Sequence, residues 1–74
     1  MMTDYTIEKN IYLHFSKKDK EKISEILNIQ INNNEVEIIF DDIEILFNAN
    51  MISEKYYEEL EEEYDVTSYI ILFN

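Results

Sequence analysis

The sequence has no cysteine, glycine, proline, arginine or tryptophan, and His14 is its only histidine. The lack of cysteine excludes disulfides and thiolate metal sites and is typical of a reducing cytosol. The lack of glycine excludes the phosphate-binding loops of the P-loop and dinucleotide-binding types. One histidine leaves no partner for a Ser-His-Asp triad or a histidine-based metal site. We therefore expect a protein that is not an enzyme and that uses no cofactor or metal.

Basic residues are scarce beyond residue 22. The first 22 residues hold five lysines and four acids, whereas residues 23–74 hold thirteen carboxylates and one base, Lys55. The net charge of −11 therefore belongs to the last two-thirds of the chain. Such a surface repels DNA, RNA and anionic membranes, because affinity for them comes largely from Lys and Arg. We expect a basic protein as partner, with no direct nucleic-acid or membrane binding.

Long hydrophobic runs are also missing. No segment approaches the roughly 18 apolar residues of a membrane span, and residues 1–5 lack the features of a secretion signal. An excess of Ile, Asn, Lys and Glu indicates an AT-rich coding sequence. We expect a cytoplasmic protein of a low-GC bacterial host or of its mobile elements. The 46% apolar content predicts one folded domain, residues 1–74, rather than a disordered acidic tail.

Hydrophobic periodicity predicts the elements of the first half. Residues 6–15 alternate between apolar and polar side chains and predict a half-buried strand. Ser16 begins a capping-box-like sequence, so a helix is expected over 17–27. A short strand at 29–31 is followed by Asn32-Asn33-Asn34, the strongest turn signal in the chain.

Alternation resumes in the second half. It predicts strands at 36–40 and 43–47, separated by a turn or bulge at Asp41-Asp42. Ser53 is the expected N-cap of a helix over 54–65, which would bury Tyr57, Leu60 and Tyr64. Residues 66–73 are rich in β-branched and aromatic side chains and predict a closing strand.

This order of elements predicts an α+β fold. The expected architecture is an antiparallel sheet of four to five strands with two helices on one face, in the order β-α-β-β-(β)-α-β. In about 74 residues, that order is the ferredoxin-like split β-α-β arrangement.

The acidic residues are the main candidates for function. Carboxylates four residues apart on a helix are separated by about 6 Å along its axis, and those two apart on a strand by about 6.7 Å. Both spacings are comparable with successive phosphates of a nucleic acid, so carboxylates could replace phosphates in Arg and Lys contacts. Tyrosine beside acids is also typical of interface hot spots. The expected partner-binding residues are Glu54, Glu58, Glu61, Glu62, Asp65 and Tyr57 on the predicted helix, and Glu35, Glu37, Asp41, Asp42 and Glu44 on the predicted hairpin.

In size, charge and composition the chain resembles the small acidic inhibitors of phages and plasmids. These include nucleic-acid mimics, anti-CRISPR and anti-restriction proteins, and inhibitors of host DNA enzymes; no motif assigns the chain to one family. The resemblance implies an inhibitor of a basic, nucleic-acid-handling protein. Three alternatives stay open: an immunity protein or antitoxin against a basic toxin, a structural or assembly subunit, and an acidic face that is merely solvated.

The closing strand 66–73 is apolar on both faces. At a sheet edge it would expose an apolar row and unpaired backbone groups to water. A homodimer would cover them through Tyr69, Ile70, Ile71, Leu72 and Phe73. The alternative is that this strand is central.

Overall fold

Three helices cover one face of a three-stranded sheet in residues 8–74, the part of the chain that this computed structural model describes. A single 3-10 turn, Lys17–Asp19, precedes the first helix. None of the described helices is long and apolar enough to cross a membrane. In chain order the elements are β1 (Asn10–Phe15), α1 (Lys20–Leu27), β2 (Glu35–Ile38), α2 (Phe40–Asn48), α3 (Glu54–Glu61) and β3 (Ser68–Phe73).

The last strand, β3, is the central one. It pairs in parallel with β1, from Asn10 opposite Ser68 to Phe15 opposite Phe73. On its other side it pairs antiparallel with β2, giving the strand order β1-β3-β2. The α+β class predicted from the sequence is confirmed. The finer prediction of a ferredoxin-like split β-α-β arrangement is wrong. The sheet has three strands and is mixed rather than having four or five antiparallel strands, and three helices rather than two cover it.

The largest difference lies in α2, where strands at 36–40 and 43–47 were expected to flank a turn. Ile43 and Phe47 fit both a period of two and a helical period, so the distinction rests on their neighbours. A strand that buried Ile43 and Phe47 would also bury Ile45 and expose Leu46. The structure shows the reverse, since Leu46 is 0% exposed and Ile45 is 44% exposed, and this pattern is that of a helix. Asp41 and Asp42 lie in the first turn of α2, where acids interact favourably with the helix dipole.

The first half agrees more closely with the predicted elements. β1 and α1 lie within the expected segments; the part of the predicted first strand at residues 6–7 lies outside the described residues. Ser16 makes no side-chain capping bond. Residues 29–31 are not a strand. Asn28 ends α1 in the left-handed region, with φ of 56°, and Ile29 and Ile31 then pack at the margin of the core.

The core lies between the helices and one face of the sheet. Every second residue of β1, β2 and β3 points into it, while Tyr12, Ile70 and Leu72 lie on the opposite, open face. Among residues 8–74, no helix covers that open face. The buried hydrophobic residues are Leu13, Ile38, Ile71 and Phe73 from the sheet, and Ile23, Leu27, Ile43, Leu46, Ile52, Tyr57 and Leu60 from the helical layer.

The central position of β3 corrects the expected dimer interface. Both sides of β3 are hydrogen-bonded within the chain, so it offers no free edge to a second copy. Ile71 and Phe73 are buried, and Tyr69 packs against the core. Only Ile70 and Leu72 of the expected interface lie on the open face. β3 therefore cannot form a homodimer interface as an edge strand.

Adjacent residues of α2 test its helical assignment. Leu46→Ala should lower the free energy of unfolding by about 2–5 kcal/mol, because it leaves a cavity in the core. Ile45→Ala should change it by no more than about 1 kcal/mol, because Ile45 is half in water. Urea denaturation followed by circular dichroism measures both. Equal losses, or a larger loss for Ile45→Ala, would contradict the helix.

A candidate acidic interaction surface

The helix α3 carries the densest acidic stretch of the chain. Ser53 caps its N-terminus as predicted, since the Ser53 hydroxyl accepts a 3.2 Å hydrogen bond from the Tyr56 backbone N–H. The helix ends at Glu61, four residues short of the predicted end at Asp65. Acids near a helix C-terminus are unfavourable to its dipole, and the last turn of α3 contains no basic residue. This accumulation of negative charge accounts for the early end.

Five acids of α3 and the segment after it form what we call the acidic ridge. All five are exposed. Residues 8–74 contain one ion pair, between Lys9 Nζ and Glu63 Oε1 at 2.8 Å, and none of the ridge acids takes part in it. The ridge thus lacks the alternating charges of a face that stabilises itself through ion pairs. Its members are Glu54, Glu58, Glu61, Glu62 and Asp65.

Tyrosines at the ridge are arranged differently from the prediction. Tyr57 was expected both to be buried and to contact a partner; its burial is confirmed, since it is only 9% exposed and its ring stacks on Phe47 with centroids 4.3 Å apart, which leaves little of it for a partner. Tyr56 is half-buried against the core. Tyr64 was expected to be buried, yet it is 77% exposed because α3 ends before reaching it. Tyr64 is therefore the tyrosine that stands out beside the ridge.

Acids from α2 and α3 meet around the Tyr57 hydroxyl. Burial raises the pKa of Tyr57, and the negative charges of Glu44 and Glu61 raise it further. Glu44 lies on α2 and Glu61 on α3, so the acidic surface continues from the ridge onto the neighbouring helix. This continuity was not expected, because Glu44 had been placed on a hairpin.

The two remaining acids of α2 have different surroundings. Asp41 is exposed in the first turn of the helix. Asp42 is half-buried, and its Oδ2 accepts a 3.0 Å hydrogen bond from the Ile39 backbone N–H. Asp42 thus caps α2 rather than facing a partner. Neither residue lies on a hairpin, which corrects their expected location.

Glu35 and Glu37 are separate from the ridge. Both are exposed on β2, whose alternate residues Val36 and Ile38 point into the core. The two glutamates consequently lie on the open face of the sheet, opposite the helices. Glu37 Oε2 accepts a 2.8 Å hydrogen bond from the Ser68 hydroxyl of β3. The structure therefore separates Glu35 and Glu37 on β2 from the other acids of the predicted hairpin, which lie on α2.

Lys9 and Lys17 lie at opposite ends of the sheet. Lys9 precedes β1 and reaches the segment after α3, where its Nζ also donates to the Tyr64 carbonyl at 2.9 Å. Lys17 lies beyond the other end of β1, and its backbone N–H donates to the Asn74 carbonyl at 3.1 Å. A six-residue strand is about 20 Å long, and exposed charges are screened beyond about 8–10 Å. Lys17 is therefore too far from Glu63 to compensate its charge, and Lys9 is the lysine that pairs with Glu63.

A metal site would need acidic or histidine side chains that converge. No group of three acidic or histidine side chains within residues 8–74 converges as a metal site. His14 is exposed on β1, and its Nδ1 lies 3.2 Å from the side-chain nitrogen of Asn74.

Comparison with protein-family models, with curated proteins and with solved structures finds no match.

The raised pKa of Tyr57 makes a prediction about alkaline pH. Its raised pKa means that the unfolded chain loses this proton first, from about pH 10. Stability from this group is complete below that pH and is lost as the pH rises. Tyr57→Phe should therefore lose less free energy of unfolding than the wild type between about pH 8 and pH 11. Some loss should remain, because burial also raises the pKa of Tyr56.

Urea denaturation at each pH measures this loss for the wild type and for Tyr57→Phe. A loss in Tyr57→Phe equal to that of the wild type would contradict the burial of the Tyr57 ring and its position beside Glu44 and Glu61.

Proposed function

We propose that this protein is an inhibitor that binds a basic, nucleic-acid-handling protein through the acidic ridge. The observation that carries the proposal is the lack of ion pairs at the ridge. The one ion pair within residues 8–74 involves Glu63, which is not one of the five ridge acids. A net charge of −11 on a small domain destabilises it through self-repulsion. A basic partner would convert this cost into favourable contacts.

The geometry of the ridge supports recognition of arginine and lysine. Glu54, Glu58 and Glu61 project from α3, so their backbone positions are held by an element that packs through Tyr57 and Leu60 onto the core, and Glu62 and Asp65 follow its end. Carboxylates accept hydrogen bonds from Arg and Lys as phosphates do, and these charge-assisted bonds are the strong ones. A protein surface that binds nucleic-acid phosphates offers such basic side chains. Occupation of that surface by the ridge would exclude the nucleic acid.

Tyr64 adds an apolar component to this surface. It is the most exposed large hydrophobic residue of the described chain and is flanked by Glu63 and Asp65. Tyrosines surrounded by polar rims recur among the residues that contribute most to binding. The ridge and Tyr64 together present charge for steering the partner and a ring to bury against it.

The anti-defence role inferred from size and charge is part of the proposal. An inhibitor encoded by a phage or mobile element would act on a defence nuclease or another DNA enzyme of a bacterial host. An immunity protein or antitoxin would use the same surface against a toxin encoded beside it. The identity of the bound protein and its gene position distinguish the two.

Two matched pairs of charge reversals test the proposal. Glu58→Lys/Glu62→Lys alters the ridge, whereas Glu21→Lys/Glu25→Lys alters α1 at the same spacing and with the same change in net charge. All four glutamates are exposed. Each protein is immobilised and offered a nuclease-treated lysate of a low-GC bacterium, and captured proteins are identified and challenged with DNA.

The wild type and the α1 variant should retain a basic nucleic-acid-binding protein that DNA displaces. The ridge variant should lose it by a factor of at least about ten, as expected for two charge-assisted contacts, while its circular dichroism stays native. Equal retention by both variants, or capture of acidic or membrane proteins alone, would contradict the proposal.

A further inference from the structure

A small cavity opens beside the acidic ridge, between α2, α3 and β3. Phe40, Leu60 and Tyr69 line it together with two acids, Glu61 and Glu63. Its volume is about 280 Å³, below the roughly 300–1,000 Å³ of pockets that hold whole small molecules. A cavity of this size suits one long side chain rather than a cofactor or a folded segment.

Aromatic rings make up much of its wall. The Phe40 ring centroid lies 5.9 Å from that of Tyr69 and 5.8 Å from that of Tyr57. Phe40 and Tyr69 are half-buried, so part of each ring is accessible from the cavity. Leu60, which is 3% exposed, completes the apolar wall of the cavity. Aromatic rings attract cations through their negatively charged faces.

The rim of the cavity is negative. Glu61 and Glu63 are both exposed, and Glu61 is also the last residue of α3. The C-terminus of a helix carries partial negative charge, which here adds to the two carboxylates. No basic residue lies in the last turn of α3 to compensate it.

A cation of the protein itself already binds at this rim. Lys9 Nζ lies 2.8 Å from Glu63 Oε1 and donates to the Tyr64 carbonyl at 2.9 Å. The contacts of Lys9 involve Glu63 and not Glu61. Glu61 therefore remains available to a cation that enters the cavity from outside.

From this geometry we infer that the cavity receives an arginine side chain of the protein partner. The inference rests on the proposed function, since it names the side chain that anchors the partner. The guanidinium group would lie against Phe40 and Tyr69 and donate to the Glu61 carboxylate, and the aliphatic stem would contact Leu60. Arginine fits better than lysine because its planar, weakly hydrated head group stacks on aromatic rings.

The test uses a defined probe and does not need the partner. The peptide acetyl-Gly-Arg-Gly-amide is titrated into the protein, and NMR follows the rings of Phe40 and Tyr69 and the methyl groups of Leu60. Controls are the same peptide with citrulline, which is neutral and similar in shape, and with lysine. We expect saturable shifts at the three residues with arginine, several-fold weaker binding with lysine, and none with citrulline.

Two single substitutions separate this cavity from general acidity. Glu61→Gln should weaken binding of the arginine peptide about tenfold, because it removes a charge-assisted contact. Glu59→Gln removes the same charge from an exposed position of α3 that belongs neither to the cavity nor to the ridge, and it should leave binding unchanged. Phe40→Leu keeps the wall apolar but removes an aromatic ring, so it should also weaken binding. If Phe40→Leu unfolds the protein, Glu61→Gln alone decides the test.

Equal weakening by Glu59→Gln and Glu61→Gln, shifts spread over all acidic residues, or equal binding of arginine and lysine would overturn the inference. If the peptide test fails, the proposed function still stands as long as a basic partner binds the α1 variant and not the ridge variant. Specific binding of the peptide without any such partner would contradict the proposed function alone.

Discussion

The fold depends on the insertion of β3 between β1 and β2. Residues 68–73 complete both strand ladders at once, parallel on one side and antiparallel on the other. Because β1 and β3 are parallel, the intervening chain must cross from one end of the sheet to the other. The three helices of this intervening chain all lie on the face of the sheet that holds Ile71 and Phe73. A core built on one side follows, with the other face of the sheet left open.

This arrangement determines where the negative charge lies. α3 needs only Tyr57 and Leu60 to be buried, so its glutamates remain at the surface of the helical layer. Lys17 is separated from Glu63 by about the length of a strand, beyond the range of effective interaction in salt, and Lys9 pairs with Glu63 rather than with any of the ridge acids. The charge on α3 is thus concentrated by topology as well as by composition. In our account, this uncompensated surface serves binding, and the aromatic cavity at Glu61 supplies the specific contact.

Local patterns in the sequence predict β1, α1 and the start of α3, whose buried residues recur at regular intervals. They fail where two periods share the same residues, as at Ile43 and Phe47, and only the burial of Leu46 in place of Ile45 identifies α2. The accumulated acids at the end of α3 could have predicted its early end and the exposure of Tyr64. The parallel pairing of β1 with β3 depends on packing of the whole chain. Apolar residues on both faces of β3 are nevertheless typical of a central strand.

The central claim is that the ridge acids do not stabilise the folded chain. Their charges should then oppose folding, and screening should relieve that opposition. Urea denaturation of the wild type at about 50 mM and about 500 mM NaCl tests this, since the higher salt shortens the screening length well below 10 Å. The account predicts a higher free energy of unfolding at high salt, with a smaller increase in Glu58→Gln/Glu62→Gln than in the wild type. A free energy that falls with salt would contradict it, because the acids would then be engaged in attractive contacts within the fold.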